Sequence, residues 1–450
     1  MSDYIDALAD FALNTKYEDI PPHVIDHAKL ILADTLPVIA HGMQEKEVQS
    51  LVARHLATAA PGKASVIGAR KRANPLDAAM LNSIAGVWNE LDEGHFYTNG
   101  HPGIHVLPAS LAHAQQHGLS GRDLLAAIVI GYEVAGRIGG AYRMKVIVQT
   151  HGTFGVTGSA TAVGRMSGLT HNEMREAINI AASTPLGGNR QTMVEGSTIR
   201  NYYPGHANFT GQMAVRLAQS GFTAPRDSPS VTYSQILADD FNTEKAATRL
   251  GDWWLITDNY IKLYPFARYV HCAIDALLEA VAKAPARKID AAAVDHVEVY
   301  GYRMLVFCGN PRPTTVFGTH FSTPFAIATI LHHGRNDLDV FAEHAFRNST
   351  VMELATRVQM IEVPEMNKNF PAEIPARVKV VMKDGKSYEG SVMVPKGERG
   401  NQHSPEELER KFYQLAKPVW GDELSRKVRE SALSVEKLSN VADFAGGVDL

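Results

Sequence analysis

Cysteine is nearly missing from this chain: its 450 residues include only Cys272 and Cys308. Two cysteines so far apart make neither a disulfide framework nor a CxxC metal knuckle. A basic excess is missing as well. The formal net charge is −4 and Lys and Arg are scattered, which excludes the basic stripe of a nucleic-acid binder. No apolar run is long enough to span a bilayer, and the most apolar stretch, Leu124 to Val134, already contains Glu133. The start, Met1-Ser2-Asp3-Tyr4-Ile5-Asp6, lacks a basic region followed by an apolar run. A signal peptide is therefore not expected, and the cytoplasm is the expected compartment. Familiar catalytic signatures are absent too: no GxGxxG after a strand, no GxxxxGK[ST], no GxSxG elbow.

What is present reads as a mostly α protein with an α+β second domain. Hydrophobic residues make up 45% and charged residues 20%, ordinary globular values, at a length that calls for two domains. Up to about residue 265 the apolar spacing is helical. Ser120-Gly-Arg-Asp123 and Thr170-His-Asn-Glu173 place a capping hydroxyl three residues before an acid, just ahead of apolar runs. Segments 159–168 and 177–183 are rich in Ala, Gly and Ser, which lets helices approach closely. After about residue 288 the pattern changes. Residues 293–300 alternate as a strand, and 377–383 and 386–394 read as a hairpin about Asp384-Gly385. Helix returns at Ser404-Pro405 and is expected to run to about Val441. The expected plan is a large helical domain from residues 1–269 and 399–450, interrupted by a smaller α+β lid domain at 270–398.

Four polar clusters are too dense in His, Tyr, Lys and Arg for ordinary surface. The first, Trp88 to His105, holds Glu90, Asp92, Glu93, His95, His101 and His105. Histidine and carboxylate suit zinc or iron in kind. Pro102, however, is expected to break any helix that would align His101 with His105, and HExxH is absent. General acid–base use is the preferred reading, with no metal expected. A polar loop with capping roles is the plainer possibility. In the second cluster His151 precedes small residues that open a helix, an arrangement that aims backbone N–H groups at an anion; incidental packing would also account for it. In the third, Arg200 could clamp a carboxylate with two parallel hydrogen bonds, or simply pair at a surface. The fourth runs from Tyr260 to Asp275, where Lys262, Tyr264, Arg268 and His271 bracket a proline turn at the expected domain boundary.

Taken in order, these motifs resemble the MmgE/PrpD family, which includes 2-methylcitrate dehydratase, cis-aconitate decarboxylase and iminodisuccinate epimerase. The resemblance runs from Tyr17-Glu-Asp-Ile-Pro21 and Ala33-Asp-Thr35 through Gly100-His-Pro-Gly103, His151-Gly-Thr153, Gly196-Ser197 and Lys262-Leu-Tyr-Pro265. It ends at Phe321-Ser322, Pro395-Lys-Gly397 and Lys411-Phe412. It implies a helical domain plus lid, a homodimer, no required cofactor, and cleft roles for His101, His151 and Lys262. Several positions depart from the family pattern. Glu90 stands where an aspartate is usual, Gly94 where a threonine is usual, and Arg200-Asn-Tyr-Tyr203 where Lys-Arg-Leu-His is usual. Phe325 replaces the tyrosine of FSxxY. These changes point away from a tricarboxylate and toward a dicarboxylate or amino-dicarboxylate.

The reaction expected from this reading is proton abstraction beside a carboxylate, with cationic donors stabilising an enediolate. Lys262 is placed in the catalytic set, with His151 and His101 as base and acid and Tyr142, Tyr203 or Tyr264 as second proton carriers. Glu90, Arg200, Tyr264, Arg268 and His271 are expected to contact the substrate. With a β leaving group the outcome is elimination by a dehydratase-type lyase, the preferred reading. Without one it is epimerisation of a substrate such as iminodisuccinate. Decarboxylation of the cis-aconitate type stays open as well, and so does a relative that binds its ligand without catalysis.

Overall fold

The computed structural model describes residues 3–450, so Met1 and Ser2 of the acidic start lie outside it. Helix starts follow the capping chemistry read from sequence. Ser120, Thr170 and Ser404 each accept the backbone N–H of an acid three residues on, and that acid caps back. Pro405 holds the first position of its helix, where a missing N–H costs nothing. Among the described residues, no helix is long and apolar enough to cross a membrane.

Two hydrophobic cores result. The first joins helices of the N-terminal half, through residues such as Ile31, Leu107, Ile128 and Val156, to Phe412, Trp420 and Val428 of the tail. Helix Gly121–Gly140 crosses helix Gly155–Met166 at Gly131 and Gly158, where a Cβ on either would come within 2.8 Å of the other's carbonyl oxygen. The second core gathers Phe266, Val270, Val297, Phe325 and Val378. It lies under a four-stranded sheet in the order Val358–Glu362, Val294–Gly301, Ala376–Met382, Ser387–Val392. The first pair is parallel and the others antiparallel, and helix Arg268–Lys283 packs across the last two strands.

Three features depart from the sequence reading. A short hairpin, Ala64–Val66 with Lys71–Ala73, interrupts the helical half. Strand Val358–Glu362 reads weakly because its outer edge has no partner and only Val358 is buried. The tail helix ends at Leu433 rather than about Val441, because the following backbone is bonded elsewhere: Leu438 O accepts Gly121 N–H, and Val441 N–H goes to Leu119 O.

Candidate active site

The loop between helices Pro75–Gly86 and Pro102–His117 carries most of the chemistry, and it is tied from several sides. Gly94 and Tyr260 exchange backbone hydrogen bonds at 3.1 and 2.8 Å. The Glu93 carboxylate accepts Gly103 N–H at 2.5 Å, Tyr132 OH at 3.0 Å and Asn259 Nδ2 at 3.0 Å, and so caps the next helix. Burial pushes its carboxyl up to about 7. Lys411, in the tail helix, donates to Leu91 O at 3.1 Å while paired with Asp34 at 2.7 Å. The loop is thus held between Glu90 and Asp92 by a residue from the far end of the chain. Glu90 itself has left-handed backbone (φ 52°), an uncommon state for a side chain of that size.

These ties present a stacked histidine pair. His101 Nδ1 donates to Glu93 O at 2.7 Å, with Asp92 Oδ2 at 2.9 Å. His151 stacks on it with centroids 4.6 Å apart and planes within 15°. Both His151 nitrogens are buried without a hydrogen-bond partner. Burial, helped by Arg200 and the neighbouring histidines, pushes its imidazole well below the ordinary value and keeps it neutral. His105 supports the pair from beneath, donating to His101 O at 2.7 Å and accepting Gly152 N–H at 3.2 Å.

Opposite charges line the other side. Glu90 ion-pairs with Arg200 and lies 3.3 Å from Lys262, which is 3.5 Å from Asp92. All four side chains are at most 2% exposed. Burial alone would raise the Asp92 carboxyl, but His101 and Lys262 outweigh it and hold it well below the usual range. Arg200 is held by its ion pair to Glu90, while its Nε is unpartnered and its Nη1 bonds, to Val87 O and Asn201 Oδ1, are both 3.4 Å long. A cavity of about 50 Å³ sits here, lined by Glu90, His101, Gln149, Arg200 and Tyr260, with Arg268, Tyr269 and Met304 closing it. That is room for a water or two, so an organic acid enters only as the walls part. A larger cavity of about 370 Å³ lies beyond Leu263 and Tyr264, but its charged lining is mostly paired internally, as in Lys396 with Glu407 and Tyr264 with Asp275. It has no counterpart of the stacked His101–His151 pair.

Residues 6–233 match the MmgE/PrpD N-terminal domain, and residues 264–437 match the MmgE/PrpD C-terminal domain. The chain belongs to the MmgE/PrpD family. Its relatives include a cis-aconitate decarboxylase-like protein of Aspergillus oryzae, 27% identical over 97% of this chain and 95% of the relative. A cis-aconitate decarboxylase of Aspergillus terreus is 24% identical over 97% and 94%, and that of Mus musculus 26% over 83% and 77%. The C-terminal match reaches into helix Pro405–Leu433, which packs on helix Pro22–Gly42 of the N-terminal half. The family boundary and the boundary between cores therefore differ.

For this MmgE/PrpD chain, the structure brings together His101, His151, Glu90, Arg200 and Lys262 from the sequence-derived set. It sends others elsewhere. Tyr142 stacks on Tyr233 at 4.7 Å in the first core, outside the cavity lining. The Tyr203 ring packs against Gly188, because only a glycine leaves room for it there. Tyr264 faces the larger cavity and donates to Asp275 at 3.0 Å. His271 is bonded at both nitrogens, accepting from Arg268 at 3.0 Å and donating to Phe266 O at 3.1 Å. Arg268 does reach the cavity, but its N–H groups are spent on Glu398, His271 and Lys396 O. Its charge is felt there more than its donors. Pro102 does not break a helix but begins one, with His101 at the cap.

Sequence reasoning gave no role to Asp92, Gln149, Tyr260 and His320. The first three stand inside or next to the four polar clusters. His320, bonded to Pro265 O at 2.5 Å and near enough to Glu90 to feel its charge, has no local signal. For a metal, the fold offers more than the sequence spacing does. Ligand atoms of Asp92, His101 and His151 lie within 4.8 Å of one another, a spacing that an ion could bridge. Against a dication, Asp92 already faces Lys262, and Arg200 adds positive charge beside His151.

Proposed function

We propose that this chain is a lyase of the dehydratase type. It removes a proton beside a carboxylate of a small dicarboxylic acid and needs no metal. The observation that carries the reading is His151: a neutral imidazole with two unpartnered nitrogens, stacked on the cavity-lining His101 and close to the buried Arg200 cation. Such a base needs its conjugate acid near the reacting carbon and fixed positive charge where the enediolate forms. Lys262 and Arg200, both held by Glu90, supply the charge. The relatives are named for decarboxylation, which passes through the same kind of carbanion and is the second reading. Charge favours a small acid. Glu90 and Asp92 offset part of the Arg200 and Lys262 charge, so each added substrate carboxylate gains less here and a tricarboxylate gains least. The lid in this proposal is residues 270–398, closing on a helical domain of residues 1–269 and 399–450.

The test uses chelator-treated protein in heavy water with a panel of 2-hydroxydicarboxylates. Deuterium should enter the carbon beside the carboxylate, with an unsaturated acid as product. Exchange that disappears on chelation and returns with zinc or iron would overturn the metal-free reading. Saturated-acid product with carbon dioxide would select the decarboxylase.

We also propose a homodimer. Val146, Ile147 and Ile236 are 78%, 61% and 64% exposed. They lie on two adjoining segments, joined where Lys145 N–H donates to Leu237 O at 2.9 Å. We read this exposed apolar cluster as the surface that a second copy covers. Light scattering should give twice the chain mass of 49.1 kDa, falling to that mass in Ile147→Asp/Ile236→Asp. An unchanged mass would place the interface elsewhere.

A further inference from the structure

The two histidines stack face to face, and of the pair His101 lines the cavity. Elimination also needs a proton delivered to the departing oxygen, and the tyrosines expected for that from sequence lie outside this cavity. Tyr260 lies inside it. Its ring stands edge-on to His101, planes at 86° and centroids 6.3 Å apart. The Arg268 guanidinium carbon lies 4.8 Å from its centroid. The ring has this place only because residue 94 is glycine: a Cβ there would collide with the Tyr260 hydroxyl and ring. Phe96 packs on the ring at 5.3 Å, and the backbone is fixed by the paired bonds to Gly94. The hydroxyl has no protein partner among the described residues. Burial pushes the phenol well above its ordinary value while Arg268 pulls it back, so it is protonated at neutral pH and its anion has a cation at hand.

We propose that Tyr260 is a catalytic residue, the general acid that protonates the leaving hydroxyl. This rests on the lyase reading above. His151 takes the proton from carbon as the carbon–oxygen bond breaks. Tyr260 gives its O–H proton to the departing oxygen, so water leaves and an alkene remains. The resulting imidazolium and phenolate are reset by one proton passing from His151 to Tyr260 through water. No oxidant or other co-reactant is needed. Arg268, held by Glu398 and His271, acts here as a positioning residue that stabilises the phenolate.

The variant is Tyr260→Phe, which keeps the ring and its contacts and removes only the hydroxyl. The probes are malate, which loses water, and 2-chlorosuccinate, whose chloride leaves without a proton; the rest of the hydroxy-acid panel replaces malate if wild type prefers another member. Fumarate formation from malate should fall at least about a hundredfold, the ordinary contribution of a general acid. Chloride elimination should stay within about twofold of wild type, with an unchanged melting temperature. Equal loss on both probes would assign Tyr260 a packing role and overturn the proposal, as would full activity on both. Wild type that neither exchanges nor eliminates with any acid of the panel would overturn the lyase reading, and this proposal with it.

Discussion

Replacing His151 by asparagine should lower kcat by about a thousandfold and leave the melting temperature nearly unchanged. A positioned general base contributes typically 10²–10⁴ in rate, so about a thousandfold is the middle of that range. Stability should be spared because His151 makes no side-chain hydrogen bond to lose. Its neutral form also sets the pH profile. The imidazole is held well below its ordinary value, so wild-type kcat should stay flat through the range where a free histidine titrates and fall only at lower pH. Steady-state rates for variant and wild type, each as a pH series, check both statements. A profile that falls near pH 6.5, the ordinary histidine value, would mean that another group is the base.

The same burial makes the whole fold acid-sensitive. His95, His105, His113, His320 and His403 are each held down to about 4, with burial as the first cause. Below pH 6.5 the unfolded chain protonates these rings while the folded chain does not, so stability falls as pH falls. Buried carboxyls work in the other direction. Glu93 and Glu133 are pushed up to about 7 by burial, so between about 4.5 and 7 the folded chain holds protons that the unfolded chain has lost. More histidines are held down by burial than carboxyls are pushed up, so unfolding takes up protons on balance and stability falls as pH falls from about 6.5 to 4.5. Unfolding midpoints in urea at pH 7, 6 and 5 should therefore drop steeply. A midpoint that holds steady to pH 5 would show that these rings reach solvent in the folded state.

The fold was readable where local chemistry decides it. Ser120, Thr170 and Ser404 marked helix starts because a cap and its acid sit three residues apart. Asp384-Gly385 marked the hairpin because its turn needs a residue with positive φ, here Gly385 at 86°. The parallel strand Val358–Glu362 was hidden because its pairing is with residues about sixty positions earlier, which leaves no local period. The site divides in the same way. His101, His151 and Lys262 stood out as unusual residues in unusual company. Their tautomers, stacking and charge partners come from contacts across the fold, and so do the exclusions: Tyr142 and Tyr203 point into packing that neighbouring helices create. Tyr260 was passed over because its access depends on a missing side chain at residue 94.

The grip of Lys411 on the Leu91 carbonyl has a consequence for synthesis. The two residues are 320 positions apart, and Asp34, the other partner, comes still earlier. At about 5–20 residues per second, a ribosome adds that stretch in roughly 15 to 65 seconds. During that interval the loop bearing Glu90, Asp92 and His101 has been made but lacks its anchor. In the proposed lyase, competence would therefore arrive with helix Pro405–Leu433, and an unfinished chain would carry the same side chains without the geometry that holds them.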